Sequence, residues 1–107
     1  MSVREITIDE LKLALANGAQ LIDVREADEF VSGHVPDAQH VALGTVPESL
    51  EIFRSDVDVF VICQAGGRSL RACEYLHDQG ITNVVNVIGG TSGWIALGNP
   101  VDLGSQQ

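Results

Sequence analysis

The segment Cys63-Gln64-Ala65-Gly66-Gly67-Arg68-Ser69 is the part of this chain best suited to chemistry. A thiol stands first, a glycine pair follows in a short loop, and an arginine and a serine open what reads as a helix. The run before it, Asp58 to Cys63 (DVFVIC), is a continuous apolar stretch and predicts a strand covered on both faces. A loop bent between strand and helix turns successive N–H groups inward into an anion nest, and glycine at positions 66 and 67 supplies the positive φ or close approach such a bend needs. The helix N-terminus adds a partial positive charge and Arg68 a whole one. Both favour thiolate, so the Cys63 pKa is expected below the free value of about 8.5, with no general base required. The plainer reading is a buried cysteine that ends a core strand, with glycines only turning the corner. Strand end, glycine pair and arginine together favour the reactive thiolate.

Cys73 lies about one turn into the following helix, on its apolar stripe, and reads as a core residue rather than a resolving thiol. Two cysteines do not make the disulfide framework of a small secreted domain. His34, His40 and His77 are not spaced with them as structural zinc ligands, so no metal is expected. The thiols suggest a reducing compartment.

The elements that must position Cys63 follow from periodicity and punctuation. Val3 to Ile8 reads as a short extended lead-in, and Thr7-Ile8-Asp9-Glu10 as a capping box opening a helix that Gly18 stops. Gln20 to Val24 is a buried strand, Arg25 to Ser32 a short helix broken by Gly33-His34-Val35-Pro36, and His40 to Leu43 a brief strand. Pro47 to Phe53 predicts a helical turn or two. A helix is expected from about Arg68 to Gln79, with Leu70, Ala72, Cys73 and Leu76 facing inward. Asn83 to Ile88 is a further buried strand, and Gly89-Gly90 turns into a last short helix holding Trp94. Alternating helices and apolar strands predict a three-layer α/β domain on a mostly parallel sheet, with one domain spanning 1–107 and a loose tail at 102–107.

Composition excludes several functions. With 45% hydrophobic and 20% charged residues the chain is globular in character, and no apolar run approaches the ~20 residues of a membrane span. Fifteen acids against six Lys plus Arg give a net charge of -9, and Lys12 is the one lysine, so no basic stripe for nucleic acid or an anionic membrane can be assembled. The acidic N-terminus carries no signal-peptide pattern, which points to a cytoplasmic address.

Three blocks of the sequence make it resemble the single-domain rhodanese family of sulfurtransferases over about 6–101. They are Asp23-Val24-Arg25-Glu26 with Glu29-Phe30 and Gly33-His34-Val35-Pro36 and Ala38, then the Cys63 to Ser69 loop, then Gly89-Gly90 with Trp94. The resemblance implies about five parallel strands flanked by helices on both faces. It implies that Cys63 is the nucleophile that accepts a sulfane sulfur as a persulfide, and that the amides from Gln64 to Ser69 cradle the sulfur or its donor anion. Arg68 would steer the donor or steady the cradle. Asp23, Arg25, Glu29 and His34 would serve as ion pairs or loop anchors holding the strand-end loops, and Trp94 as a core aromatic.

The implied reaction proceeds in two half-reactions without metal or organic cofactor. The donor is a small sulfur anion such as thiosulfate, or a protein persulfide. The acceptor is cyanide in the test tube or a thiol in the cell. Competing readings are a cysteine phosphatase or arsenate reductase on the same fold, and a non-catalytic interaction module. The related phosphatases place five residues between Cys and Arg, whereas Gln64 to Gly67 number four, a smaller cradle suited to one sulfur. Gln64, where some family members carry arginine, and the acidic net charge both make a persulfide donor as plausible as thiosulfate.

Overall fold

In the computed structural model, which describes residues 2–105, a five-stranded parallel sheet runs in the order β1-β5-β4-β2-β3. The strands are β1 (Arg4–Ile6), β2 (Gln20–Asp23), β3 (Gln39–His40), β4 (Val59–Ile62) and β5 (Val84–Val87). The helices are α1 (Ile8–Ala16), α2 (Ala27–Ser32), α3 (Leu50–Phe53), α4 (Gly67–Asp78) and α5 (Gly90–Ala96). No helix among the described residues is long and apolar enough to cross a membrane.

Alternation along the strands divides the core in two. Val59 and Val61 of β4, Ile22 of β2 and Val84 of β5 join Ala72, Cys73 and Leu76 of α4 and Phe53 of α3 on one face. Phe60 and Ile62, Leu21, and Val85 and Val87 join Ile8 and Leu11 of α1, Phe30 of α2 and Trp94 of α5 on the other. This is the period-2 rule of a strand covered on both sides, as the apolar run ending at Cys63 predicts. Asn86 has the parity of Val84, so the sheet presents a buried polar side chain to the α4 face.

Local signals act as expected at α1. Glu10 N donates to Thr7 Oγ1 at 3.2 Å, and Thr7 N donates back to Glu10 Oε1 at 2.9 Å, which closes the capping box. Four expectations are corrected. The strand expected over His40 to Leu43 is the two-residue Gln39–His40, because from Leu43 the chain winds into a 3-10 turn, Leu43–Glu48. Pro47, with its fixed φ and missing N–H, lies inside that turn, and the helix expected from Pro47 shrinks to Leu50–Phe53. On α4 the buried stripe is Ser69, Ala72, Cys73 and Leu76, with Leu70 only half-buried, because Ser69 turns inward toward Cys63. Finally, the start of the expected loose tail is tied down. Asp102 and His34 exchange backbone hydrogen bonds at 2.9 and 3.0 Å, and Gly104 N donates to Val31 O at 2.8 Å. Residues 106 and 107 of that tail lie outside the described residues.

Candidate active site

Cys63 follows directly on β4, and its loop passes into α4 through Gly66, whose φ of 110° is open only to glycine at low cost. That bend aims the Gly66 N–H at Cys63 Sγ, 3.1 Å away, and places Ser69 Oγ 3.3 Å from the same sulfur. Gly67 needs no special conformation, and a Cβ there would meet open space. Cys63 is 1% exposed. Burial alone would push its thiol pKa up, but hydrogen bonds from the Ser69 side chain and from the amides of Ser69, Gly66 and Ala65 outweigh it and bring the pKa below the ordinary thiol value. Cys73 is one turn further along α4 with no such donors, and burial pushes it up to about 12. Both cysteines are free.

The loop is held from behind by α5. Thr91 N donates to Cys63 O at 2.9 Å and Ser92 N donates to Gln64 O at 3.0 Å. With their carbonyls drawn toward α5, the peptides of the loop turn their N–H groups toward the sulfur. The approach is so close that a Cβ on Gly90 would lie 2.5 Å from Cys63 O and 2.6 Å from Gln64 O. The Gly89-Gly90 block is therefore part of the site's construction, not only a turn.

The residues of the first block brace the other side. Asp23 and Arg25, both buried, form a multidentate ion pair at the end of β2, with Arg25 Nη2 2.9 Å from Asp23 Oδ2. The same guanidinium donates to Gly33 O at 2.9 Å and to Gln64 Oε1 at 3.0 Å, so the strand-end pair reaches the active loop. Gln64 Nε2 in turn donates to Ser92 Oγ at 2.7 Å, which stretches the Gln64 side chain between β2 and α5. Arg68 forks onto Glu29 of α2 at 2.7 and 2.9 Å and holds the Glu29 carboxyl down at about 2. The arginine is thus paired with a carboxylate, and hydrogen bonds are the leading stabilisation of the thiolate. His34 lies apart from the sulfur's contacts. Its ring stacks on Phe30 at 3.8 Å and bonds the Phe30 carbonyl through Nδ1 at 2.8 Å, which anchors the segment after α2.

Residues outside the quoted motifs also take part. Ser92 holds Gln64, and Asn86 holds Ser69. Asn86 carried a visible signal, an amide side chain in the middle of an otherwise apolar strand, whereas nothing in the sequence marked Ser92.

The model of the Rhodanese-like domain family matches residues 7–97. The chain belongs to that family. Among curated relatives, it is 38% identical over 96 residues to a putative sulfurtransferase, YtwF, of Bacillus subtilis, covering 88% of this chain and 92% of the relative. It is 34% identical over 86 residues to the thiosulfate sulfurtransferase GlpE of Pseudomonas putida, covering 80% of this chain and 78% of the relative. Among solved structures, a rhodanese-like domain protein from Staphylococcus aureus superposes with a TM-score of 0.85 at 34% identity, over 96% of this chain and 100% of the other. The parallel sheet with helices on both faces is the rhodanese-like fold.

Proposed function

We propose that this rhodanese-like domain is a sulfurtransferase that carries a sulfane sulfur as a persulfide on Cys63. The observation that carries the proposal is the convergence of the Ala65, Gly66 and Ser69 donors on one nearly enclosed sulfur, which favours an anion there. With thiosulfate as donor, Cys63 thiolate attacks the outer sulfur. A sulfur–sulfur bond forms to Cys63, the bond to the sulfonate sulfur breaks, and sulfite leaves with the electron pair. The persulfide carries the remaining negative charge on its outer sulfur, where inward N–H groups stabilise it as an oxyanion hole does oxygen. Cyanide, or a thiolate in the cell, then attacks that outer sulfur and Cys63 thiolate is the leaving group. A persulfide donor enters by the same attack, with its thiolate departing instead of sulfite.

The thiosulfate sulfurtransferase among the relatives supports the class of donor. Two features weigh against phosphoryl chemistry. The loop between Cys63 and Arg68 is short, and Arg68 forks onto Glu29 rather than into the cradle. A reducing compartment such as the cytoplasm suits the pair of free thiols.

The test is thiocyanate formation from thiosulfate and cyanide. A two-step carrier gives parallel double-reciprocal lines when both substrates are varied, and Cys63→Ser abolishes turnover. Absence of thiocyanate, together with absence of sulfur uptake from a small persulfide donor, would leave a binding module and overturn the proposal.

A further inference from the structure

Asn86 is buried in β5 and joined to the nucleophile through one hydroxyl. Ser69 Oγ has a single proton and three neighbours that would accept it: Asn86 Oδ1, Cys63 Sγ at 3.3 Å and Gly66 O at 3.3 Å. The Asn86 contact is the shortest of the three. The amide cannot reverse without loss, because its Nδ2 donates to Glu5 Oε2 at 2.8 Å and to Gly66 O at 3.3 Å. Oδ1 therefore faces Ser69 as an acceptor.

We propose that Asn86 is a positioning residue for Cys63, holding the Ser69 proton while the sulfur is protonated or sulfur-loaded and yielding it only to the bare thiolate. A protonated Cys63 can donate its own S–H to Ser69 Oγ, and the Ser69 proton then rests on Asn86. A thiolate needs a donor, so the hydroxyl turns to Sγ and leaves Asn86 Oδ1 buried without its partner. After sulfur transfer the charge sits on the outer sulfur, the inner Sγ becomes a weak acceptor, and the proton returns to Asn86. Asn86 thus favours the loaded carrier over the empty thiolate. The loaded state in this inference rests on the sulfurtransferase proposal; the proton-holding role does not.

Other charged groups surround this network. They are Glu5 on β1 behind Asn86, the Arg68–Glu29 pair with Glu26 nearby, and the Asp23–Arg25 pair beyond Gln64. Burial pushes the pKa of Cys73, on the same face of α4, up to about 12. A double-mutant cycle removes these common contributions.

The experiment is a thiolate titration by ultraviolet absorbance of the wild type, Asn86→Val, Ser69→Ala and the double variant, with Asn86→Ala replacing Asn86→Val should the latter not fold. Without its nearest competitor the Ser69 hydroxyl is left with the sulfur and the more distant Gly66 O, so Asn86→Val lowers the Cys63 pKa by about half to one unit, a roughly three- to tenfold gain in thiolate below the midpoint. In the Ser69→Ala background the same substitution produces no shift. An equal shift in both backgrounds, or a rise in the Asn86 single variant, would overturn the proposal. As a second readout, the equilibrium between thiosulfate and sulfite on Cys63 moves several-fold toward the unloaded enzyme in Asn86→Val but not in the double variant. Failure of the wild type to load would count against the sulfurtransferase proposal, while the titration still decides the role of Asn86.

Discussion

Gly90→Ala should uncouple the active loop from α5. A Cβ at position 90 would stand 2.5 Å from Cys63 O, 2.6 Å from Gln64 O and 2.7 Å from Gln64 C, all backbone atoms with no rotamer to escape into. One partner must retreat by about 0.9 Å to reach ordinary contact. The glycine also has a φ of +59°, a left-handed conformation that costs an L-residue about 1–2 kcal/mol. Overpacking a close contact adds about 1–3 kcal/mol, so the whole penalty is about 2–5 kcal/mol. Any retreat of the loop lengthens the Thr91 and Ser92 hydrogen bonds that orient its peptides. The thiolate then loses its aligned amides and the Cys63 pKa climbs back toward the ordinary thiol value. Urea unfolding measures the stability and ultraviolet thiolate titration measures the pKa. Gly67→Ala is the control, since it has open space and no left-handed φ, and should be neutral or stabilising by up to ~1 kcal/mol. Gly90→Ala with wild-type stability and wild-type thiol pKa would refute the account of how α5 builds the loop.

Three further outcomes are expected. Arg25→Met leaves the Asp23 carboxylate buried without its partner and frees Gln64, for a loss of about 3–5 kcal/mol in urea unfolding; a change under ~1 kcal/mol would show the pair to be dispensable. The Glu29 carboxyl is held below its ordinary 4.5, at about 2, so its pairing with Arg68 stabilises the fold above the ordinary value and that contribution is lost as pH falls toward 2. Because both side chains are 31% exposed, the stability difference between wild type and Glu29→Gln should be only about 0.5–1 kcal/mol near neutrality, vanishing in acid unfolding curves by about pH 2; a difference that grew in acid would contradict the pairing. Thiol titration of the Cys63→Ser variant should show no thiolate below about pH 10, since Cys73 is held up to about 12, and a midpoint near 8.5 would mean that Cys73 is not the buried core residue described.

Much of the fold was legible because its signals are local. The Thr7–Glu10 box, the glycine at 66, and the continuous apolar run of Val59 to Ile62 each state their element within a few residues. The nucleophile was legible for the same reason, since strand end, loop and helix start are contiguous from Cys63 to Ser69. Contacts between distant segments were not. Arg25 reaches Gln64 across 39 positions and Arg68 reaches Glu29 across the same span, so the partners of each charge could be stated only as a type of pairing. Arg68 illustrates the consequence: its place in the loop suggested a charge facing the sulfur, yet the carboxylate that neutralises it belongs to α2. Asp102 meeting His34 likewise gives a segment of polar, tail-like composition an anchor that no periodicity announces. The expected strand at His40 to Leu43 shortened because the chain enters a 3-10 turn at Leu43, a competition decided by a few residues rather than by a pattern.

The central claim is that Cys63 is a sulfur carrier, and intact-protein mass after incubation with excess thiosulfate tests it most directly. Wild type and Cys63→Ser are treated side by side and then exposed to cyanide. The account predicts an adduct of one sulfur atom on the wild type alone, removed by cyanide. An adduct that also forms on Cys63→Ser, or a wild type that takes up no sulfur from either thiosulfate or a persulfide donor, would contradict it.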